Sequence, residues 1–244
     1  MRVAVLWVVA ALLSAAPAAA QARSPRVFIS INGGVQPAAS DLADRFEFEA
    51  NVETATVEVS YPYKSNPIVD GGVGIRLWRG FGAGVAFSSS SGDGSAHVEA
   101  SIPHPFFFDQ PREIEGDVGS LTRSETALHG QLFYLVPMSG RFQVILSAGP
   151  SRIEAEQDIV RAVQYDEEFP FDTATFRSAT TRSVKASAIG FNAGADVSYM
   201  FGRRFGIGGL IRFSRATVDL DVDGRTVSLD AGGLQAGGGI RIAF

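Results

Sequence analysis

The chain has 244 residues, 45% of them hydrophobic, with 27 glycines, 18 phenylalanines, no cysteine and a formal charge of −5. Without cysteine there is no disulfide, no thiol nucleophile and no thiolate metal site. A net acidic chain also lacks the basic footprint that nucleic acid requires, so nucleic acid is not an expected partner.

Residues 1–20 stand apart from the rest. Arg2 supplies a positive start, "VAVLWVVAALL" (3–13) an apolar run, and Ala18-Ala19-Ala20 a small-residue cleavage site. Ala20-Gln21-Ala22 fits as well and would move the cut to residue 22. A permanent anchor needs a longer apolar stretch, and this one breaks at Ser14 and Pro17. The segment is predicted to be a cleaved export signal, leaving 21–244 as the mature domain. No later run of about 18 apolar residues exists, so no transmembrane helix is expected.

The mature chain alternates with a period of two, the mark of strands. Val27, Ile29, Ile31 and Val35 oppose Ser30, Asn32 and Gly34. Three short turns follow, "WRG" (78–80), "MSGR" (138–141) and "FGRR" (201–204), each flanked by alternating segments. Gly71, Val73, Ile75 and Leu77 lead into the first, and Phe81, Ala83, Val85 and Phe87 lead out. Around the third, Ala195, Val197 and Tyr199 lead in, and Phe205, Ile207 and Ile211 lead out. The chain closes on Leu234, Ala236, Gly238, Ile240 and Ile242, with Gln235 and Arg241 on the other parity. Eight strands result: 26–36, 67–77, 81–90, 122–137, 141–156, 182–201, 205–220 and 225–244. Short turns join them at one end, and long loops 37–66, 91–121 and 157–181 at the other, the asymmetry of outer-membrane barrels.

One face of these strands carries Phe, Ile, Leu and Val, the other glycine, serine and a few charges. The second face is too small and polar for an oily core, so the bulky face must see lipid. The predicted fold is therefore all-β, an eight-stranded antiparallel transmembrane β-barrel. Phe81, Tyr134, Phe142, Tyr199, Phe201, Phe205 and Phe244 lie on the bulky face beside a short turn or the terminus, and Trp78 lies in a turn. They predict an aromatic girdle at the periplasmic interface. Phe87, Phe191 and Phe213 predict its outer counterpart. The same parity places Asp70, Arg76, Glu125, His129, Asp196, Arg212 and Arg241 in the interior as a polar network that blocks the lumen. Asp196, Arg212 and Arg241, on adjacent strands at overlapping heights, are expected to pair.

Past Phe213 the polarity inverts without a change of parity. Thr217, Asp219, Asp221 and Asp223 take the outward positions, and Val218, Leu220 and Val222 the inward ones. The strand is expected to leave the membrane as a water-exposed wall with apolar residues turned inward. "RFEFEANVETATVEVSY" (45–61) and "SAHVEASI" (95–102) alternate similarly and predict further strands of an extracellular β extension.

The signal segment, "GVGIRLWRGFGAGVAF" (72–87), "GFNAGADVSYMF" (190–201) and the terminal "GGGIRIAF" (237–244) together resemble the small outer-membrane β-barrel family, the OmpA- and OmpX-like barrels. The resemblance implies an outer-membrane location and a monomer solvated by outer-membrane lipid and lipopolysaccharide. It also implies recognition of Phe244 by the barrel-assembly machinery. That family holds anchors, adhesins, narrow channels and a few enzymes. The expected function is a non-enzymatic membrane anchor whose surface loops serve binding, adhesion or envelope integrity. A narrow transport channel is the alternative, and a lipid-modifying enzyme a further one.

Four motifs are weighed against chemistry. "GFGAGV" (80–85) lacks the helix a dinucleotide loop needs, and no cofactor is expected. Asp219, Asp221, Asp223, Gly224 and Asp230 match the spacing of a calcium loop. Yet Asp stands where a bidentate Glu belongs, and strands flank it, so Asp223-Gly224 reads as a hairpin turn and no metal site is expected. "IPHPFFFDQPR" (102–112) reads as a plug folded on the barrel lip or as a surface-binding patch. His129 with Glu125 and a serine is the one catalytic candidate, but no serine has a nucleophile-elbow setting, and His129 reads as lumen filling.

Overall fold

The computed structural model describes residues 26–37, 42–62, 64–138 and 140–244. The predicted export signal and its cleavage site lie outside the described residues. Among the described residues ten antiparallel strands form: β1 (Val27–Gln36), β2 (Leu42–Ala50), β3 (Glu53–Tyr61), β4 (Asn66–Trp78), β5 (Phe81–Ile102), β6 (Arg112–Val136), β7 (Phe142–Glu167), β8 (Ala174–Met200), β9 (Phe205–Val222) and β10 (Arg225–Ala243). Their order is β2-β3-β5-β4-β1-β10-β9-β8-β7-β6, and β5 also pairs with β6. That last pairing closes a ring of eight, with the β2–β3 hairpin outside it.

Large apolar side chains cover the outside of the ring. Ile31, Val73, Val85, Leu132, Ile207 and Ile211 are all exposed, while their strand neighbours of opposite parity point into the lumen. Only a nonaqueous surrounding makes this arrangement stable, because a continuous apolar belt in water would drive association. The aromatics mark one edge of the belt. Phe81 lies 4.8 Å from Tyr134, Phe142 5.1 Å from Tyr199, and Tyr199 5.7 Å from Phe201, centroid to centroid. Trp78, Phe205 and Phe244 are exposed at the same end. Phe191 and Phe213 pair at 6.0 Å on the other edge.

Crossing a bilayer takes about ten tilted residues, yet β5, β6, β7 and β8 have 22, 25, 26 and 27. The excess makes a second storey. Little of 37–66, 91–121 and 157–181, expected as long loops, is loop: β2 and β3 occupy the first, and the other two are largely the continuing strands. One edge of β5 is shared, taken by β4 from Ser90 down to Phe81 and by β3 between His97 and Ser101. Strand β9 parts from β8 after the Phe191–Arg215 pair, and its hairpin with β10 continues alone to Asp223-Gly224. The turn has φ of 53° and 86°, the left-handed conformation that Asp-Gly favours.

The hydrophobic core lies in this second storey, not in the barrel. Val57 and Val59 of β3, Val98 and Ile102 of β5, Ile153 and Ile159 of β7, and Val218, Leu220 and Val222 of β9 are buried together. Where the hairpin bends toward them, Gly232 has φ of 98°, and a Cβ there would strike the backbone of Ser214. Ionic contacts fasten the hairpin at its tip. Asp223 meets Arg161 at 3.2 Å and Arg182 at 3.0 Å, while Arg225 meets Asp44 at 3.0 Å and lies over the Phe46 ring.

Candidate functional site

The lumen is filled in layers by residues that share one strand parity. Nearest the turn end, Arg241 donates through Nε and Nη2 to the Asp196 carboxylate at 2.5–3.0 Å. Arg76 lies half-buried on the inward parity of β4 at the same end. Phe28 and Phe133 meet edge to face, 6.0 Å apart. Gly74 and Gly82 leave the room for the Phe133 ring, which any Cβ there would strike. A cavity of about 80 Å³ separates this layer from the next, with Ser30, Gln131, Ser147 and Ser198 on its wall.

The middle layer joins opposite walls. Arg212 of β9 donates to Asp70 of β4 at 2.5 Å, and Asn32 of β1 donates to the other Asp70 oxygen at 2.8 Å. Both members of the ion pair are 3% exposed. A charge pair removed from water to this degree is held by geometry and hydrogen bonds, since desolvation cancels much of the attraction. Arg212 thus turns across the lumen to Asp70, and Asp196 belongs to Arg241 alone of the two arginines expected beside it. Arg241 occupies both Asp196 oxygens, and the long Arg212 side chain reaches across the lumen to Asp70 instead.

His129 sits in the same layer, fully buried. Its Nε2 lies 3.1 Å from Ser88 Oγ and its Nδ1 2.7 Å from Ser151 Oγ, and Asn192 Nδ2 donates to that hydroxyl at 2.9 Å. Glu125 is turned away, to Arg123 at 2.5 Å, Gln36 at 3.0 Å and the Gly232 N–H at 2.9 Å. The histidine and glutamate singled out together therefore occupy different layers. His129 has hydroxyl neighbours but is sealed from solvent, and no substrate could reach it without opening the ring. Gln36 also donates to the Gly232 carbonyl at 2.6 Å, and Gln235 donates to Gln36 at 3.2 Å, forming the top layer. The apolar core begins directly above.

Gln36, Arg123, Asn192, Phe28 and Phe133 were not singled out in the sequence, and Asn32 and Gln235 were placed only on the face opposite the apolar one. Parity carried the signal, for each lies at an even step from a residue assigned to the interior of its own strand.

The aspartates with calcium-loop spacing do not converge. Asp219 accepts from Ser228, Asp221 from the Gly224 N–H, Asp223 takes two arginines, and Asp230 takes Arg215 and Thr217. "GFGAGV" lies on β5 at the turn end, with no helix behind it. Residues 103–111 lie at the far end of β5 and β6, well away from the barrel lip, because those strands stay paired up to Ile102–Arg112.

Titratable groups of the extension, His97 on its outer wall and Asp44 buried within it, are tuned by their neighbours. A hydrogen bond to Asp117 holds His97 above its ordinary range, and the charges of Glu99 and Glu115 add to the effect. Burial raises Asp44, opposed by Arg225 and by the Arg45 N–H.

In structure the chain is similar to the outer membrane protein OprG from Pseudomonas aeruginosa, with a TM-score of 0.50 at 8% identity, covering 91% of this chain and 97% of that one. The fold is that of a small outer-membrane β-barrel. Neisserial surface protein A aligns at a TM-score of 0.44 and 10% identity, over 89% of this chain and 97% of its own. The outer membrane protease OmpT from Escherichia coli aligns at 0.44 and 7% identity, over 90% and 97%. No family model matches the chain, and no curated protein matches it in sequence.

Proposed function

We propose that this protein is a non-conducting, non-enzymatic outer-membrane anchor that holds a rigid β extension outside the cell for binding. One observation carries the reading: the lumen is bridged by the Arg241–Asp196 and Arg212–Asp70 pairs and by the Gln36–Glu125 hydrogen bond, and is capped by a packed apolar core. A solute would have to break buried ion pairs and then part the core. Outer-membrane lipid and lipopolysaccharide are the solvent of the belt, residues 1–20 direct export, and Phe244 at the turn end is the residue offered to the barrel-assembly machinery. The barrel is proposed to work as a monomer.

Two measurements test the proposal. Reconstituted in planar bilayers, the protein is expected to give no single-channel steps, and steady conductance overturns the blocked lumen. Since the natural chain has no cysteine, single substitutions report topology cleanly. Asp109→Cys is expected to react with an impermeant maleimide on intact cells, and Arg203→Cys only after the outer membrane is opened. The reverse pattern inverts the orientation.

A further inference from the structure

The far tip of the extension does not look like a wall made only to face water. Three connections meet there: the β2–β3 turn, residues 103–111 between β5 and β6, and residues 168–173 between β7 and β8. Val52 is 94% exposed, Phe106 66%, Phe107 54%, Phe108 71% and Phe169 79%. These side chains cannot serve the protein's own bilayer, because the whole extension core stands between them and the lipid belt. A cluster of five large apolar groups at one tip is the kind of surface that marks a partner.

The tip is built, not loose. Asn51 Nδ2 donates to the Pro103 carbonyl at 3.0 Å, and Glu53 accepts from the Asp109 N–H at 3.1 Å, tying the first connection to the second. Arg112, 5% exposed, ties the second to the third. It donates to the carbonyls of Pro103 at 2.8 Å and Phe171 at 3.1 Å and meets Glu167 at 2.6 Å. Buried His104 accepts from the N–H groups of Phe106 and Phe107, and its ring lies tilted against that of Phe107 at 4.8 Å. Phe171 touches Phe106 and Phe169 at 5.6 and 6.0 Å. The phenylalanines are thus held outward by a framework of hydrogen bonds, which lowers the ordering cost of binding.

Charge decides what they hold. Residues 49–53, 103–111 and 168–173 contain Glu49, Glu53, Asp109, Glu168 and Asp172, and neither lysine nor arginine. The wall beneath continues the sign. Glu58, Glu99 and Glu115 stand directly opposite one another on β3, β5 and β6, with Arg45 at one end of the row. Like charges in register destabilise a sheet, and a cationic partner relieves that repulsion. Phenylalanine faces also attract cations. A second copy of this chain, or an anionic lipid surface, would bring negative charge against negative charge.

We propose that this tip is a docking surface for a cationic polypeptide segment whose apolar side chains sit among Phe106, Phe108 and Phe169 while its lysines or arginines meet the surrounding carboxylates. The inference deepens the binding role proposed above and rests on the extension lying outside the cell.

The test uses the mature protein in phosphatidylcholine nanodiscs and a fluorescein-labelled twelve-residue peptide repeating Lys-Phe-Ser, read by anisotropy against empty discs. Wild type is expected to bind the peptide saturably. The triple change Phe106→Ser, Phe108→Ser, Phe169→Ser and the triple change Asp109→Asn, Glu168→Gln, Asp172→Asn are each expected to weaken it about tenfold or more. Raising salt from about 50 to about 500 mM is expected to weaken wild type and leave the neutralised variant nearly unchanged. All six side chains are exposed, and heat-dependent mobility on gels confirms that the variants still fold. Equal affinity in wild type and both variants overturns the proposal. So does a loss seen only in the phenylalanine variant together with its failure to bind phosphatidylcholine vesicles, which assigns the patch to lipid. Concentration-dependent dimers abolished by the phenylalanine changes assign it to self-association and overturn it too. Peptide binding with Asp109→Cys unreactive on intact cells leaves the surface standing and removes the orientation on which its role depends.

Discussion

The two halves of β9 make opposite solvents visible on one strand. From Phe205 to Phe213 the odd positions are exposed and apolar, and the even ones line a polar lumen through Arg212 and Ser214. From Arg215 to Asp221 the odd positions remain exposed but turn charged or polar, and the even ones, Ala216, Val218, Leu220 and Val222, enter an oily core. No bulge interrupts its pairing with β10 between Phe205 and Val222. What changes is only the medium outside: hydrocarbon below, water above. The lower storey is then held by buried ion pairs and hydrogen bonds, the upper by ordinary apolar packing. Burial alone does not distinguish the two, whereas chemistry does.

Removing Asp70 attacks the lower storey most directly. Asp70→Ala strands Arg212 in the lumen and is expected to cost about 3–5 kcal/mol, read from urea unfolding in phospholipid vesicles. The double change Asp70→Leu, Arg212→Met is expected to cost far less, because no uncompensated charge remains. If both variants lose the same stability, the pair is not what holds the middle layer. In the upper storey Leu220→Ala opens a cavity in a core where this side chain is fully buried. The expected loss is about 2–5 kcal/mol, accompanied by faster protease cleavage in the extension while the barrel stays resistant.

A lysine scan sharpens the boundary itself. Ile211→Lys puts a charge on the lipid face and is expected to cost about 2–4 kcal/mol. Thr217→Lys, three pleat repeats higher with the same outward direction, is expected to change stability by less than about 0.5 kcal/mol. Equal costs would place the water boundary elsewhere on the strand.

The smallest effect concerns the wall. His97 is predicted to titrate above the usual value of about 6.5, since its hydrogen bond to Asp117 favours the charged ring. Its folded pKa is raised, so its contribution to stability is complete below the unfolded value and disappears as pH rises through the folded one. Nuclear magnetic resonance of the ring protons follows this directly, and Asp117→Asn is expected to bring the midpoint back toward the ordinary range.

Much of the fold was legible because strand parity is a local property. Eight lipid-crossing segments, the turn end with its aromatics and the polarity switch after Phe213 all follow from alternation read two residues at a time. The continuation of β7 and β8 to Glu167 and from Ala174 was not read, since "IVRAVQYDEEF" and "ATFRSATTRS" mix polar and apolar residues on both parities. Neither half of that hairpin encloses much core at its end, so the pattern that marks a strand fades there. In the candidate site, Asp70, Arg212, Asp196 and Arg241 were legible as inward residues. Gln36, Arg123 and Gln235 share that parity, but a glutamine or arginine on one strand says nothing about a partner several strands away.

From the sequence alone come the facing of each side chain and the medium each face meets, because the alternation of a strand and the polarity of its residues are both written along the chain. The three-dimensional structure alone decides who meets whom across the lumen, sending Arg212 to Asp70 and Glu125 to Gln36 and Gly232. It also decides that β9 and β10 leave the ring to roof it. Those choices depend on ring closure, stagger and the turn of the backbone at Gly232, which bring together residues far apart along the chain, 142 positions in the case of Arg212 and Asp70.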